Sequence, residues 1–222
     1  MKRYCPICDT NHEKFNPFGY NPREDAQCPN CGSLERHRLS WLVIEKELYG
    51  IDVKEKTMLH IAPEKLFTQK FEEIFKENYL TADLYDKNAK IQMDITDIKY
   101  PGESFDFIYC SHVLEHIQDD KKAMSELHRV LKKDGWAILL VPIMVKGATE
   151  EDFSITSKEE RMKHYGHPDH VRNYGSDYKQ RLEESGWSVD VIYPEDFLSN
   201  DDIKLMGITK AAGEIYLCKK GL

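Results

Sequence analysis

The sequence predicts an α/β protein: a doubly wound, mostly parallel sheet of seven strands with a small cysteine-stapled segment in front of it. Three observations carry this. Strand-like and helix-like stretches alternate from residue 57 onward, the grammar of a parallel sheet covered on both faces. Several of those strands are apolar nearly throughout, as strands buried on both faces are. Four of the six cysteines fall into two C-x2-C pairs close to the N-terminus.

Residues 1–33 contain Pro6, Pro17, Pro22, Pro29, Gly19 and Gly32 and show no sustained periodicity. Such a segment buries little apolar surface and needs a staple. Cys5 and Cys8 ("CPIC") and Cys28 and Cys31 ("CPNC") supply one, because two knuckles at this separation have the spacing of a four-cysteine zinc ribbon. Each knuckle aims two thiolates at one point. Four sulfurs close a tetrahedral shell, so the expected Zn2+ is structural, with His12 and His37 to spare. Ser33 is placed to cap a linking helix over 34–50, stopped at Gly50.

Residues 51–222 read as one further domain. "TMLHIA" (57–62) is a short apolar strand, followed by the helical period of "EKLFTQKFEEIFKE". "NYLTADL" (78–84) and "AKIQMDI" (89–95) are two more strands, and "SFDFIYC" (104–110) alternates before turning apolar. Over 119–133, Ala123, Met124, Leu127, Val130 and Leu131 share one helix face, with an aspartate at the start, lysines at the end and Gly135 beyond. "WAILLVP" (136–142) is a buried strand. A helix over 176–185 precedes "WSVDVIY" (187–193), and "GEIYLCKK" (213–220) is the last strand. The connection 143–175 is long for its kind, which marks it as a lid or substrate segment.

Composition narrows the function classes. Hydrophobic content of 41% and charged content of 32% are ordinary for a globular chain. No window approaches the ~18 apolar residues of a membrane span. The N-terminus lacks an apolar h-region, so a cytoplasmic protein without a signal peptide is expected. A net charge of −8 disfavours a broad phosphate-binding surface. Residues 1–40, with six Lys/Arg against five Asp/Glu, do not alter that. Charge does not recommend nucleic acid as a partner, and no membrane is expected.

Residues 112–116, "HVLEH", fit the H-x-x-E-H pattern of one class of zinc peptidase. That chemistry needs both histidines on one helix, whereas His112 follows the strand 104–110 by two residues, at a strand-to-helix corner. The order of strand "FDFIYC", corner "SHVLEHI", helix ending "LHRVLKKDG" and strand "WAILLVP" resembles instead a stretch of class I S-adenosylmethionine-dependent methyltransferases of the type 11 kind. Those proteins show a VLEH-type corner after strand four and a helix ending in RVLK-x-GG before strand five. Here Trp136 stands at the second glycine.

The resemblance implies a Rossmann-like class I methyltransferase sheet and S-adenosyl-L-methionine as cofactor. It places Asp83, with Leu84, at the ribose, as the analogous carboxylate sits in dinucleotide folds. Asp94 and Ile95 would flank the adenine, and Cys110, Ser111 and His112 would border the same site. One element departs from the pattern. "LHIAPEKLF" puts His60 where an acid is usual, and Ala62, Pro63 and Glu64 where a glycine-rich turn is usual. Proline removes an N–H and fixes φ, so the usual cradle is not expected. Taken whole, the chain is similar to zinc-ribbon methyltransferase-like proteins that share CPxCGSLERHR (Cys28–Arg38), the APE turn (Ala62–Glu64) and DHVR-x-YG (Asp169–Gly175). In that setting Arg36 or Arg38 is expected over the cofactor carboxylate, held bidentately, with Glu64 at the ammonium group.

Candidate catalytic residues follow from position. His112 and His116 lie beyond the strand ends, where open α/β sheets bind ligands; His170, Arg172 and Tyr174 belong to the segment "HPDHVRNYG". His164, His167 and His170 recur every three residues, but Pro168 breaks the helix that would align them, so no second metal is expected. The partner is a methyl acceptor, small-molecule or macromolecular, that the sequence does not name. The alternative is a binding protein with the fold kept and catalysis lost, its ribbon recognising protein or RNA. The glycine-free turn favours that alternative, and Asp83 and Asp94 oppose it.

Overall fold

The first 33 residues bury little alone, and the computed structural model, which describes residues 2–19 and 21–221, shows what they fold with. Two short antiparallel ladders pair β1 (Arg3–Cys5) with β2 (Thr10–His12) and β3 (Asn16–Phe18) with β4 (Arg23–Gln27). Helix α1 (Glu35–Leu48) follows. These elements and residues Ile192–Ile215 make one compact unit; Val53–Val191 with Tyr216–Leu222 make the other.

Helix α1 is therefore the core of the first unit rather than a linker, which corrects the expected division at residues 33 and 50. Arg38 gives the reason. It is wholly buried, and its guanidinium donates to the carbonyls of Ala26 (3.1 Å), Ser33 (2.8 Å), Met206 (2.6 Å) and Gly207 (2.9 Å). The Phe15 ring lies 4.4 Å away. Glu35, 1% exposed, accepts from Arg23 Nε and Nη2, both at 3.1 Å. His37 Nδ1 accepts the Leu34 N–H at 3.0 Å, satisfying a donor at the helix start; Leu34, not the expected Ser33, stands at the N-cap. The segment "SLERHR" is thus a set of structural contacts.

The second unit holds β5 (Met58–Ile61), α2 (Lys65–Phe75), β6 (Tyr79–Asp83), β7 (Ile91–Gln92) and β8 (Phe105–Ser111). It continues with α3 (Asp120–Val130), β9 (Leu131–Leu140), β10 (Ile143–Val145), β11 (Glu150–Glu151), α4 (Lys158–Tyr165), β12 (Arg172–Gly175) and α5 (Tyr178–Glu183). Strands β13 (Trp187–Ile192) and β14 (Ile215–Lys220) close it. Seven strands form one sheet in the order β13-β14-β9-β8-β5-β6-β7. Pairs β5–β6, β5–β8, β6–β7 and β8–β9 are parallel, and β14 runs antiparallel to β9. The seven-stranded, mostly parallel sheet is the one the sequence predicts. Strand β8, buried at every residue, is its middle.

The connection β5–α2–β6 runs one way along the sheet and β8–α3–β9 the other. Right-handed crossovers in opposite directions put α2 and α3 on opposite faces. Under α2 lie Phe67, Phe71 and Phe75 with His60, Tyr79 and Tyr109, ring centroids mostly 5–6 Å apart. Each such buried side chain contributes roughly 1.5–3 kcal/mol. Helix α3 ends at Val130 because Leu131 already pairs with Phe105 at the start of β9, five residues before the expected strand. The segment 143–175 is not an open loop: β10, β12 and β11 form a small sheet of their own, with α4 beside it in sequence. At Gly175 a Cβ would stand 2.2 Å from the Gly147 carbonyl oxygen, so that close approach requires glycine. Among the described residues no helix is long and apolar enough to cross a membrane.

Candidate functional site

Strand order reverses between β5 and β8, and open α/β sheets bind ligands in the crevice beyond the strand ends at such a point. A pocket of about 630 Å³ opens there, within the usual range of ligand sites. Ile61 and Ala62 line it after β5, Asp83 and Leu84 after β6, Asp94 and Ile95 after β7, and His112 and His116 after β8. The residues expected at ribose and adenine are therefore brought together with two of the expected catalytic histidines.

Local geometry fixes each of them. Asp83 Oδ1 accepts the N–H groups of Tyr85 (2.7 Å) and Asp86 (2.8 Å), while Oδ2 has no protein partner among the described residues. Asp94 Oδ1 accepts the Thr96 N–H (2.8 Å) and hydroxyl (2.7 Å), and these bonds hold its carboxyl below the ordinary aspartate value. Ala62 has φ 49° and His112 φ 56°, left-handed values that favour glycine and cost other residues roughly 1–3 kcal/mol each. Their N–H groups are tied to the carbonyls of Ala82 (2.8 Å) and Leu140 (2.9 Å). The turn after β5 thus takes a glycine-type backbone with alanine in it.

Other expected site residues lie elsewhere. His60 points into the aromatic cluster under α2, its Nδ1 2.7 Å from the Tyr79 hydroxyl. Burial drives its pKa down to about 3, against a small opposing effect of Glu64; it is a neutral core histidine, not a side chain at the cofactor. Cys110 is wholly buried, which pushes its thiol up. Ser111 is buried, its hydroxyl without a hydrogen-bond partner among the described residues. Pro63 and Glu64 are half-buried, and the Glu64 carbonyl starts α2 by accepting from Phe67 and Thr68. Arg38 spends its donors on carbonyls of its own unit and has no fork left for a carboxylate, which corrects that expectation. Arg36, on the same helix, is half-buried.

Arg172 and Tyr174 are also corrections, being 0% and 1% exposed. Arg172 donates to the carbonyls of Leu114 (2.9 Å), Ile117 and Gln118 (2.8 Å), and to Glu151 (2.9 Å). The Tyr174 hydroxyl donates to Asp120. Burial alone would raise the Asp120 pKa, but Arg181, Tyr174 and Arg172 together lower it. These side chains hold the corner 114–118 in place and do not touch the crevice.

The corner itself settles the peptidase pattern. His112 is left-handed and only a 3-10 turn, Leu114–His116, follows, so no helix carries both histidines. His112 Nδ1 lies 3.3 Å from Glu115 Oε1, and Glu115, 1% exposed, has Oε2 buried with no hydrogen-bond partner among the described residues. His116 stands with His167 and His170, their ring centroids 4.5–5.5 Å apart. Burial, then the neighbouring His116, brings the His170 pKa down to about 4. The sequence grouped His167 and His170 with His164; a long-range contact with the corner replaces that group, and periodicity carries no sign of it.

Sequence reasoning missed Tyr85, Met93, Val113, Ile117 and Arg161 as pocket walls, while Asp169, of the segment read as a lid or substrate contact, does line the pocket. Arg161 had one available signal: it is the sole arginine between 143 and 170. In the first unit, Cys5 and Cys31 sulfurs are 3.6 Å apart, Cys8 and Cys28 sulfurs 3.7 Å, and all four lie within 4.8 Å of one another. A tetrahedron with ~2.3 Å Zn–S bonds has edges of about 3.8 Å, so this donor set fits zinc.

Residues 30–139 match the family described as a methyltransferase domain. A stretch of 55 residues is 36% identical to YcgJ, an uncharacterized methyltransferase of Bacillus subtilis, covering 24% of this chain and 22% of that protein. The match thus spans about a fifth of the curated relative's length. The fold is similar to an S-adenosylmethionine-dependent methyltransferase of Mesorhizobium loti, at 13% identity over 82% of this chain and 97% of that one, TM-score 0.56. It is also similar to phosphoethanolamine N-methyltransferase 2 of Haemonchus contortus, at 13% identity over 97% of this chain and 56% of that one, TM-score 0.52. At such identities the likeness concerns the fold alone, and the fold is that of class I methyltransferases.

Proposed function

We propose that the chain, whose fold is that of class I methyltransferases and whose residues 30–139 match a methyltransferase domain, binds S-adenosylmethionine in the crevice beyond β5 to β8 and passes the methyl group to an acceptor entering over His112. The observation that carries this is the joint placement of Asp83, Asp94 and the left-handed Ala62 around one pocket of about 630 Å³. When bound, the cofactor supplies a methyl group already activated on a sulfonium, so orientation is most of what the protein must add.

In this reading Asp83 Oδ2 accepts from the ribose hydroxyls, while Leu84 and Ile95 wall the adenine beside Asp94. The left-handed turn at Ala62 lets backbone approach the methionine end. Arg161, the arginine lining the pocket, offers its guanidinium to the carboxylate in place of Arg38. Glu115 keeps the proton of His112 on Nδ1, which leaves Nε2 to take a proton from a hydroxyl or ammonium acceptor. The four cysteines hold a structural zinc, and the protein works in the cytoplasm. The binding-protein alternative loses its main support, because the glycine-free turn keeps a glycine-type backbone. The acceptor stays unspecified, small or macromolecular.

A calorimetric titration of the purified protein with S-adenosylhomocysteine tests the reading. Saturable binding that Asp83→Ala weakens is expected. No binding of either S-adenosylmethionine or its demethylated product to folded, zinc-loaded protein would overturn it.

A further inference from the structure

His116, His167 and His170 come from two separate parts of the chain, the 3-10 turn after β8 and the loop after α4, yet their nearest ring nitrogens all lie within 4.8 Å of one another. A zinc ion with Zn–N bonds of ~2.0–2.1 Å sets its ligand nitrogens about 3.4 Å apart. Closing the present triangle to that size takes about 1.4 Å at most, within reach of side-chain rotation in a loop.

Tautomers and orphaned atoms point the same way. His116 Nδ1 lies 3.2 Å from the Asp169 carbonyl oxygen. That bond holds the proton on Nδ1 and leaves the Nε2 lone pair for a ligand, the arrangement by which backbone carbonyls orient metal-binding histidines. His170 Nδ1 is buried with no hydrogen-bond partner among the described residues, whereas buried ring nitrogens ordinarily have one. His167 Nδ1 accepts the Asp169 N–H at only 3.2 Å, a weak bond for a metal to replace. Glu115, buried within the same corner, adds negative charge nearby.

We propose that His116, His167 and His170 form a binding site for one divalent first-row cation of the zinc class, separate from the four-cysteine ribbon. Three nitrogens leave at least one coordination position open, as in catalytic rather than structural zinc sites. His116 and Asp169 line the pocket, so the open position faces the crevice and takes an oxygen or nitrogen ligand there. The ion site stands apart from the methyl-transfer reading. That the open position receives a hydroxyl or carboxylate of the acceptor rests on that reading.

The test uses full-length protein with its ribbon loaded with zinc. Titration with Co2+ is followed by calorimetry and visible absorption, in the native protein and in His116→Ala, His167→Ala, His170→Ala and His164→Ala. The native protein and His164→Ala should bind one cobalt beyond the ribbon metal, and each cluster variant should bind it at least tenfold more weakly. Azide added to the cobalt form should change its visible spectrum by entering the open position. Melting curves and S-adenosylhomocysteine titration accompany each variant, so that a variant that misfolds is recognised and the other two decide. Failure of the native protein to take up the second ion overturns the site, as does equal loss in His164→Ala or full retention in folded cluster variants. An unchanged spectrum with azide overturns the open position. Cobalt binding that persists in a native protein unable to bind S-adenosylhomocysteine upholds the ion site while the methyl-transfer reading fails.

Discussion

Ala62 holds a backbone conformation ordinarily left to glycine, and that one residue separates what the sequence could say from what it could not. The sequence placed the end of the first strand correctly and saw that glycine was missing, but residue type does not reveal that alanine adopts the left-handed turn regardless. His60 shows the complementary limit. All four residues of β5 are buried, so no polar–apolar alternation indicates which side chains face the aromatic cluster and which the other side. Two predictions belong here. Ala62→Val should destabilise the protein by about 1–3 kcal/mol, since a β-branched residue fits φ near 50° poorly, whereas Ala62→Gly should melt no lower than the native protein; denaturant unfolding measures both. Asp83→Ala should weaken S-adenosylhomocysteine binding by about 1–3 kcal/mol through unpaired ribose hydroxyls. An unchanged dissociation constant in folded protein would place the ribose elsewhere.

At the scale of elements, the long apolar strands and the periodic helices were legible, and the segment 143–175 was not. Its strands are two to four residues long, too short for a period, and they are held by contacts far away in sequence. Arg172 is the main one, binding three carbonyls of the corner 114–118 from β12. Sequence likeness singled out this arginine as a catalytic candidate, but its chemistry is that of a buried clamp. Arg172→Ala leaves those carbonyls and Glu151 without their cation, so thermal and denaturant unfolding should show a loss of about 3–5 kcal/mol. Arg172→Lys should recover only part, having no planar fork. Asp106 plays a similar part at the other end of β8. Burial alone would raise its pKa, but Lys132 (2.7 Å), the Thr57 N–H and Lys56 outweigh it and hold the group at about 2. A depressed native pKa stabilises above the unfolded value of about 3.9. That contribution should fade as pH falls from about 4 toward 2, and Asp106→Asn should flatten this stretch of the stability–pH curve. An Asn variant that keeps the same acid slope would assign it to other carboxyls.

At the scale of the whole chain, the first unit draws on two stretches that the sequence kept apart. The cysteine spacing pointed to the cluster that the four sulfurs form, because metal geometry leaves a mark on local sequence; nothing local ties it to residues 192–215. The tie is Arg38, whose guanidinium bonds Ala26 and Ser33 on one side and Met206 and Gly207 on the other. Gly207 fits closely as well: a Cβ there would meet the Phe15 ring at 3.1 Å. If zinc closes the knuckles, then removing it frees Cys28 and Cys31, loosens the Ser33 carbonyl that Arg38 uses, and leaves a buried arginine short of an acceptor. An uncompensated buried cation is costly, so the loss should spread from the ribbon to 206–207. Hydrogen exchange before and after chelation measures this. Amides of 3–33 and of 199–209 should lose protection together, while those of β5, β8 and β9 in the second unit keep theirs. Cys28→Ser should reproduce the pattern with about one zinc fewer per chain. Protection at 199–209 that survives metal loss would show that these residues do not depend on the ribbon, and that Arg38 keeps its bonds without it.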